Sequence, residues 1–252
     1  MSANPTPTPE ITVKLYTLGG AFGMRNVSPF CLKLELLLTF YGIEFENIIE
    51  PDPRKAPKGK LPYVEINGRV LADSELIVYH LDELTQGRFT SALSPQQNAH
   101  GIALTRLAEE HLYWMIVASR WLDDAWWPNV VKGFFDIAPW PLNHLVAKIA
   151  RRQVRQTYHL QGLGRHSDAE QHALAHKNFK ALNDSLDPAG FLFGNQPTLY
   201  DFGITGILAG IYDQTPPTWI NKIAEDYPDL RDYADRVQAT VGVYGRAEDS
   251  SS

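Results

Sequence analysis

Cysteine is nearly absent from this chain. Cys31 stands alone among 252 residues, which excludes an internal disulfide and a dithiol redox cycle. The eight histidines show no zinc-finger spacing with it, and although His172 and His176 fall four apart on one expected helix, no third ligand lies near them, so no metal is expected. No run of about 18 apolar residues occurs, so a membrane-spanning helix, and a membrane as partner, are not expected. Basic residues are the minority, 23 Lys and Arg against 29 Asp and Glu for a formal charge of −6, which argues against nucleic acid as a partner. Gly162-Leu163-Gly164 lacks the glycine spacing and the preceding strand of a phosphate loop. Met1 to Glu10 has neither the basic nor the apolar segment of a leader and reads as a Pro/Thr-rich lead-in. With 44% hydrophobic residues the expectation is a soluble, cytoplasmic protein with a core of ordinary size.

The chain turns on the stretch Arg25-Asn26-Val27-Ser28-Pro29-Phe30-Cys31, where a loop with Gly19, Gly20 and Gly23 meets a helix. Ser28 suits the N-cap and Pro29 the first helical position, where its missing N–H costs nothing. The positive end of the helix dipole in front of Ser28 would favour an anion, a thiolate or a phosphate. A plain helix cap is the alternative reading of the same pair.

Around that corner the residues spell out a small α/β unit, over 11–86. Ile11, Val13 and Leu15 alternate with polar residues as in a strand. A helix from Pro29 to Tyr41 follows, ended by Gly42. Ile43 to Ile49 reads as a second, parallel strand. Pro51 to Lys60 is a basic, proline-rich loop. Leu61 to Ile66, Asn67-Gly68 and Arg69 to Ala72 form a hairpin, because Asn-Gly suits the two positive-φ positions of a type I′ turn. Asp73-Ser74 can cap a last helix whose Leu76, Ile77, His80, Leu81 and Leu84 share one face. This order is the plan of a thioredoxin-like domain.

The remainder, over 94–246, reads as all-helical. Ser94 and Gln97 form a capping box opening a helix to about Leu122. On it His111, Tyr113 and Trp114 are either core or the wall of a substrate pocket. Trp126-Trp127-Pro128, Phe134-Phe135 and Trp140-Pro141 form a broken aromatic stretch. The next helix should turn Leu142, Leu145, Ile149 and Val154 inward and carry Lys148, Arg151, Arg152 and Arg155 as a solvated basic stripe. Gly162 ends it, and Ser167 with Glu170 caps another. Thr198 and Asp201 cap a helix apolar almost all round, so it should be buried and Asp201 should serve folding. Helices around Trp219 to Asp226 and Asp229 to Val241, then a polar tail from Glu248 to Ser252, close the chain.

Three segments carry a resemblance. Ser28-Pro29-Phe30-Cys31 occupies the place of the Cys-x-x-Cys of thioredoxin-like proteins. Lys60-Leu61-Pro62-Tyr63-Val64 and Asp73-Ser74-Glu75-Leu76-Ile77 are similar to segments of the glutathione S-transferase superfamily, in the same order. The fuller strings SPFCLKLE, KGKLPYVEING and ADSELIVYHL resemble most the branch containing metaxins and failed-axon-connections proteins. The resemblance implies a fold class of α/β plus all-α, a thioredoxin-like domain followed by an all-helical glutathione-transferase domain. It implies glutathione as co-substrate, a small hydrophobic electrophile as partner, and a homodimer. Ser28 would then activate the thiol by a hydrogen bond. Pro62 would be cis, with the Leu61 backbone pairing the peptide; Asp73 and Ser74 would bind the γ-glutamyl end and Lys60 the glycyl carboxylate. Cys31 reads first as a small buried hydrophobe. The alternatives are a non-catalytic metaxin-like adapter, or a glutathione-dependent thiol oxidoreductase using Cys31.

Overall fold

A computed structural model describes residues 11–136, 139, 141–187 and 189–247; the lead-in at 1–10, Trp140 and the polar tail at 248–252 lie outside the described residues. Four strands form one sheet in the order β2-β1-β3-β4. β1 (Val13–Thr17) runs parallel to β2 (Phe45–Ile49) and antiparallel to β3 (Tyr63–Ile66), which pairs with β4 (Arg69–Ala72). Burial alternates along β1 as its sequence does, because successive side chains leave opposite faces of the sheet. Asn67 and Gly68 have φ of 50° and 81°, as the type I′ turn requires.

Helix α1 (Pro29–Phe40) crosses between the two parallel strands, and α2 (Ser74–Leu84) follows β4. α1 buries Leu34, Leu36, Leu37 and Leu38 completely, each worth about 1.5–3 kcal/mol of burial. The buried face of α2 is formed by Ser74, Ile77, Val78 and Leu81. Leu76, expected on that face, is instead half exposed, as are Val70 on β4 and Tyr79.

The helical part begins with the Ser94/Gln97 capping box and α3 (Pro95–Leu107). The single helix expected to Leu122 is interrupted by a π-turn over Ala108–Leu112, in which the Tyr113 N–H bonds the Ala108 carbonyl, before α4 (Tyr113–Trp121) resumes. Such one-residue insertions re-phase the side chains that follow and recur at functional sites. Then come α5 (Trp127–Phe135), α6 (Leu142–Gln161), α7 (Asp168–Ser185), α8 (Leu199–Tyr212), α9 (Trp219–Ala224) and α10 (Pro228–Val241).

α8 is the axle of the molecule. Every residue from Leu199 to Ile211 is buried. The Asp201 carboxylate takes Thr198 N–H at 2.7 Å, Leu192 N–H at 2.8 Å and the Tyr233 hydroxyl at 2.6 Å, so it is a folding residue as expected. Gly206 lets the first turn of α1 sit directly on α8: a Cβ there would lie 2.5 Å from the Pro29 carbonyl oxygen. The start of α1, and Ser28 with it, is seated on the helical part. The apolar core runs unbroken from the sheet through α1 into α8 and α10.

One expected face is reversed. α6 leaves Leu142, Leu145 and Ile149 exposed and buries Ala147 and Tyr158 instead. Arg151, assigned to the solvated stripe, explains the rotation: its guanidinium donates to the carbonyls of Trp121 (2.8 Å) and Leu122 (3.0 Å), pairs with Asp124 and lies over the Trp127 ring. Terminating α4 in this way satisfies carbonyls that the helix end leaves open.

Candidate active site

The corner before α1 is built around a buried carboxylate. Glu35, inside α1, pairs with Arg25 and accepts from Asn26 at 3.5 Å and Asn47 at 3.4 Å. Burial pushes its pKa up, and Arg25, Asn26 and Asn47 pull it back. Asn26 in turn accepts the Ser28 N–H at 3.0 Å, so loop and helix are locked together.

Ser28 holds the N-cap position, with Pro29 first in the helix, but its hydroxyl caps no amide. The reason is local. The Cys31 N–H, a natural donor to that hydroxyl, is already taken by the Ser28 backbone carbonyl at 3.1 Å. Ser28, whose side chain hydrogen-bonds the Cys31 thiol, is among the residues lining a cleft of about 580 Å³ between the two parts of the chain, a size suited to a small ligand.

Two kinds of residue line the cleft. Ser28, Lys58, Lys60, Asp73, Ser74, Glu75 and Arg106 supply polar groups, with Leu61 and Pro62 joined by a cis peptide bond. Phe30, Tyr113, Trp114, Ile116, Trp121 and Phe134 supply an apolar, aromatic surface. Asp73 caps α2, accepting from Glu75 N–H at 3.1 Å and Leu76 N–H at 3.3 Å. Its φ of 93° is rare for a residue with a side chain and is held at cost, as at many ligand sites.

Charges stitch the two parts of the chain together. Lys33 on α1 and Glu109 in the π-turn form an ion pair of 2.7 Å with side chains 6% and 4% exposed. Arg106 pairs with Glu75 of α2 and lies 3.5 Å from Glu109. Tyr79 donates to Glu75 at 2.6 Å. Among the aromatic residues Tyr113 meets Phe30 edge-on at 4.8 Å, and Trp121 stacks on Phe134 at 5.6 Å.

Of the residues singled out from sequence, Ser28, Lys60, Leu61, Pro62, Asp73, Ser74, Tyr113 and Trp114 all line this one cleft. His111 does not. It turns toward α7 and hydrogen-bonds Asn178, and burial lowers its pKa. Cys31 is fully buried in a minor cluster with Ala56 and Leu61. Burial pushes its thiol up to about 12, with hydrogen bonding to Ser28 offsetting this in part. Burial of this kind favours the protonated thiol at neutral pH, which counts against the oxidoreductase alternative. His172 lies tilted against Trp219 at 4.8 Å and His176 contacts Tyr227; among the described residues no cluster of three metal-ligating side chains occurs, nor a helix long and apolar enough to cross a membrane.

Glu75, Arg106 and Arg120 also line the cleft and were not singled out as site residues, and Phe134 lines it from the aromatic stretch. Glu75 and Arg106 pair across elements remote in sequence, so no local spacing betrays them. Arg120 has Asp123 and Asp124 three and four residues on, a spacing that points to a surface ion pair rather than to a buried cation. For Phe134, only the density of aromatic residues around it gave a signal.

Two family models match the chain. One described as the glutathione S-transferase N-terminal domain matches residues 29–126, and one described as the glutathione S-transferase C-terminal domain matches residues 175–237. The chain is 33% identical over 236 residues to the isoprene-epoxide–glutathione S-transferase of Rhodococcus sp. (strain AD45), covering 90% of this chain and 98% of that one. It is 29% identical to the Failed axon connections protein of Drosophila melanogaster, over 94% of this chain but only 57% of that longer protein. Among solved structures, a β-etherase from Sphingobium sp. strain SYK-6 superposes with a TM-score of 0.58 at 21% identity, covering 90% of this chain and 95% of that one.

Proposed function

The chain belongs to the glutathione S-transferase family, and from that premise we propose that it binds glutathione and activates its thiol for attack on a small hydrophobic electrophile. The observation that carries this reading is the lining of one cleft, which brings Ser28 together with charged and polar groups and with aromatic side chains. Lys60 takes the glycyl carboxylate, the Leu61 backbone pairs the cysteinyl unit, and Asp73 with Ser74 receives the γ-glutamyl amine and carboxylate at the start of α2. Ser28 donates its hydroxyl to the sulfur. The thiolate forms a carbon–sulfur bond at the electrophilic carbon while the leaving group departs, or, for an epoxide, while the ring carbon–oxygen bond breaks and the oxygen takes up a proton. An epoxide is the first electrophile to try, given the activity in the name of the Rhodococcus relative.

The working form is a homodimer, for which the exposed Val70, Leu76, Tyr79 and Ile102 offer an apolar surface; the setting is the cytoplasm, where glutathione is abundant and a lone cysteine suits the redox state. A non-catalytic adapter on the same fold is the second reading, favoured by the likeness to Failed axon connections.

Binding separates the two. Glutathione at about ten times its Kd should stabilise the native state by RT ln 11, about 1.4 kcal/mol, a rise of roughly 3–6 °C in Tm for a chain of this size. Lys60→Ala with Asp73→Asn should abolish that rise, while Asn keeps the α2 cap and tolerates the positive φ. No shift and no calorimetric heat with millimolar glutathione would leave the adapter as the better reading.

A further inference from the structure

Arg120 on α4 is 5% exposed and lines the cleft. All its partners are neutral. Nε donates to Gln214 at 2.6 Å, Nη2 to the Gly210 carbonyl at 2.7 Å and toward the Met24 sulfur at 3.7 Å, and Nη1 to the Val27 carbonyl at 3.3 Å. A guanidinium has five N–H donors, so one on Nη1 is left without a partner among the described residues. No carboxylate pairs with it there. A buried cation without a counter-charge is expensive, and ion pairs elsewhere in this seam show that the fold supplies carboxylates where it needs them.

We propose that Arg120 is the counter-cation of the cleft, the fixed positive charge that meets the thiolate of bound glutathione in front of Ser28. The assignment rests on reading the cleft as a glutathione site. Val27, whose carbonyl holds Nη1, immediately precedes Ser28, so the charge sits beside the peptide that presents the serine. When the bound thiol ionises, its proton leaves to water and the negative charge stays on sulfur. The guanidinium lowers the cost of that charge, and the anion relieves the isolation of the guanidinium. Burial holds Arg120 down to about 10, with only the Tyr113 phenol acting in the other direction. It therefore stays charged at neutral pH.

A purely structural Arg120 would clip Val27, Gly210 and Gln214 together and affect every ligand alike. The discriminating pair of ligands is glutathione and S-methylglutathione, which has the same peptide but no ionisable sulfur. In Arg120→Met, the thiolate absorbance of bound glutathione titrated against pH should show a pKa raised by one unit or more, about tenfold less thiolate at neutral pH. The calorimetric Kd for S-methylglutathione should be unchanged, and Arg120→Lys should fall between wild type and Arg120→Met. An unshifted thiol pKa in Arg120→Met overturns the assignment and leaves the glutathione reading standing. Equal weakening of both ligands makes the residue a clip and also overturns it. Wild-type protein that binds neither ligand overturns the reading of the cleft, and this assignment with it. If Arg120→Met does not fold, Ser28→Ala decides: a bound thiol still well below free glutathione supports Arg120, and a return to the free value overturns it.

Discussion

Lys33 and Glu109 meet at 2.7 Å across the seam between the sheet-bearing and helical parts, both out of reach of solvent. Lys33 stands little more than one turn into α1, and Glu109 belongs to the π-turn whose next residues face the cleft. The pair therefore fixes where Ser28 stands relative to Tyr113 and Trp114.

Breaking that pair from one side should be costly. Glu109→Leu leaves Lys33 buried without a counter-charge and should cost about 3–5 kcal/mol; Lys33→Met should cost less, because Arg106 still stands 3.5 Å from Glu109, and the double variant should recover most of the loss. Urea unfolding of the two single variants and the double variant gives the coupling. Single variants within about 0.5 kcal/mol of wild type would mean that the seam is held by its apolar contacts alone.

For Ser28→Ala the stability change should be smaller than the ~1 kcal/mol of a lost cap, because the hydroxyl caps no amide. The pKa of bound glutathione should rise, though not to that of the free thiol while Arg120 remains. Thiolate absorbance against pH measures it, and an unmoved pKa would remove Ser28 from the chemistry.

The local devices of the fold were legible from sequence because each is written in neighbouring residues. Asn67-Gly68 sets its turn, Ser94 and Gln97 their capping box, and Thr198 with Asp201 the start of the buried helix. What escaped depends on partners far along the chain. α6 shows an amphipathic pattern whose apolar side faces outward, since Arg151 is drawn in by the carbonyls ending α4. His111, Tyr113 and Trp114 were grouped as one crowded polar and aromatic stretch of a single helix, which the π-turn interrupts. The cleft itself was half legible: Ser28, Lys60, Leu61, Pro62, Asp73 and Ser74 came from motifs, whereas Glu75, Arg106 and Arg120 take their meaning from contacts no spacing predicts.

Cys31 should react slowly with thiol reagents at neutral pH, since burial holds its thiol up at about 12. Labelling should accelerate only when urea opens the fold. Rapid alkylation of the native protein, with glutathione binding lost in step, would restore Cys31 as a functional thiol.

The last prediction concerns pH and the strap formed by the end of the described chain. Gly245 and Tyr244 accept from Arg25 at 2.8 and 3.2 Å, and Ala247 donates to Gly23 at 2.8 Å, so residues 244–247 hold the loop that leads to Ser28. Asp213, at the end of α8, faces this strap with its side chain 6% exposed and Arg246 no closer than 3.9 Å. Burial raises its pKa from the ordinary 3.8 to about 6, more than Arg246 and Arg231 lower it, and Asp235 adds to the rise. A carboxyl that holds its proton more tightly when folded contributes stability that is full below about 3.8 and is lost as pH rises through about 6. By linkage this amounts to about 2–3 kcal/mol. Asp213→Asn cannot ionise and should keep that contribution, so it should match wild type near pH 4 and exceed it at pH 7. Urea unfolding of both proteins from pH 4 to pH 8 measures the difference. Parallel curves would mean that Asp213 titrates alike in the folded and unfolded chain, and that burial beside the strap costs its carboxylate nothing.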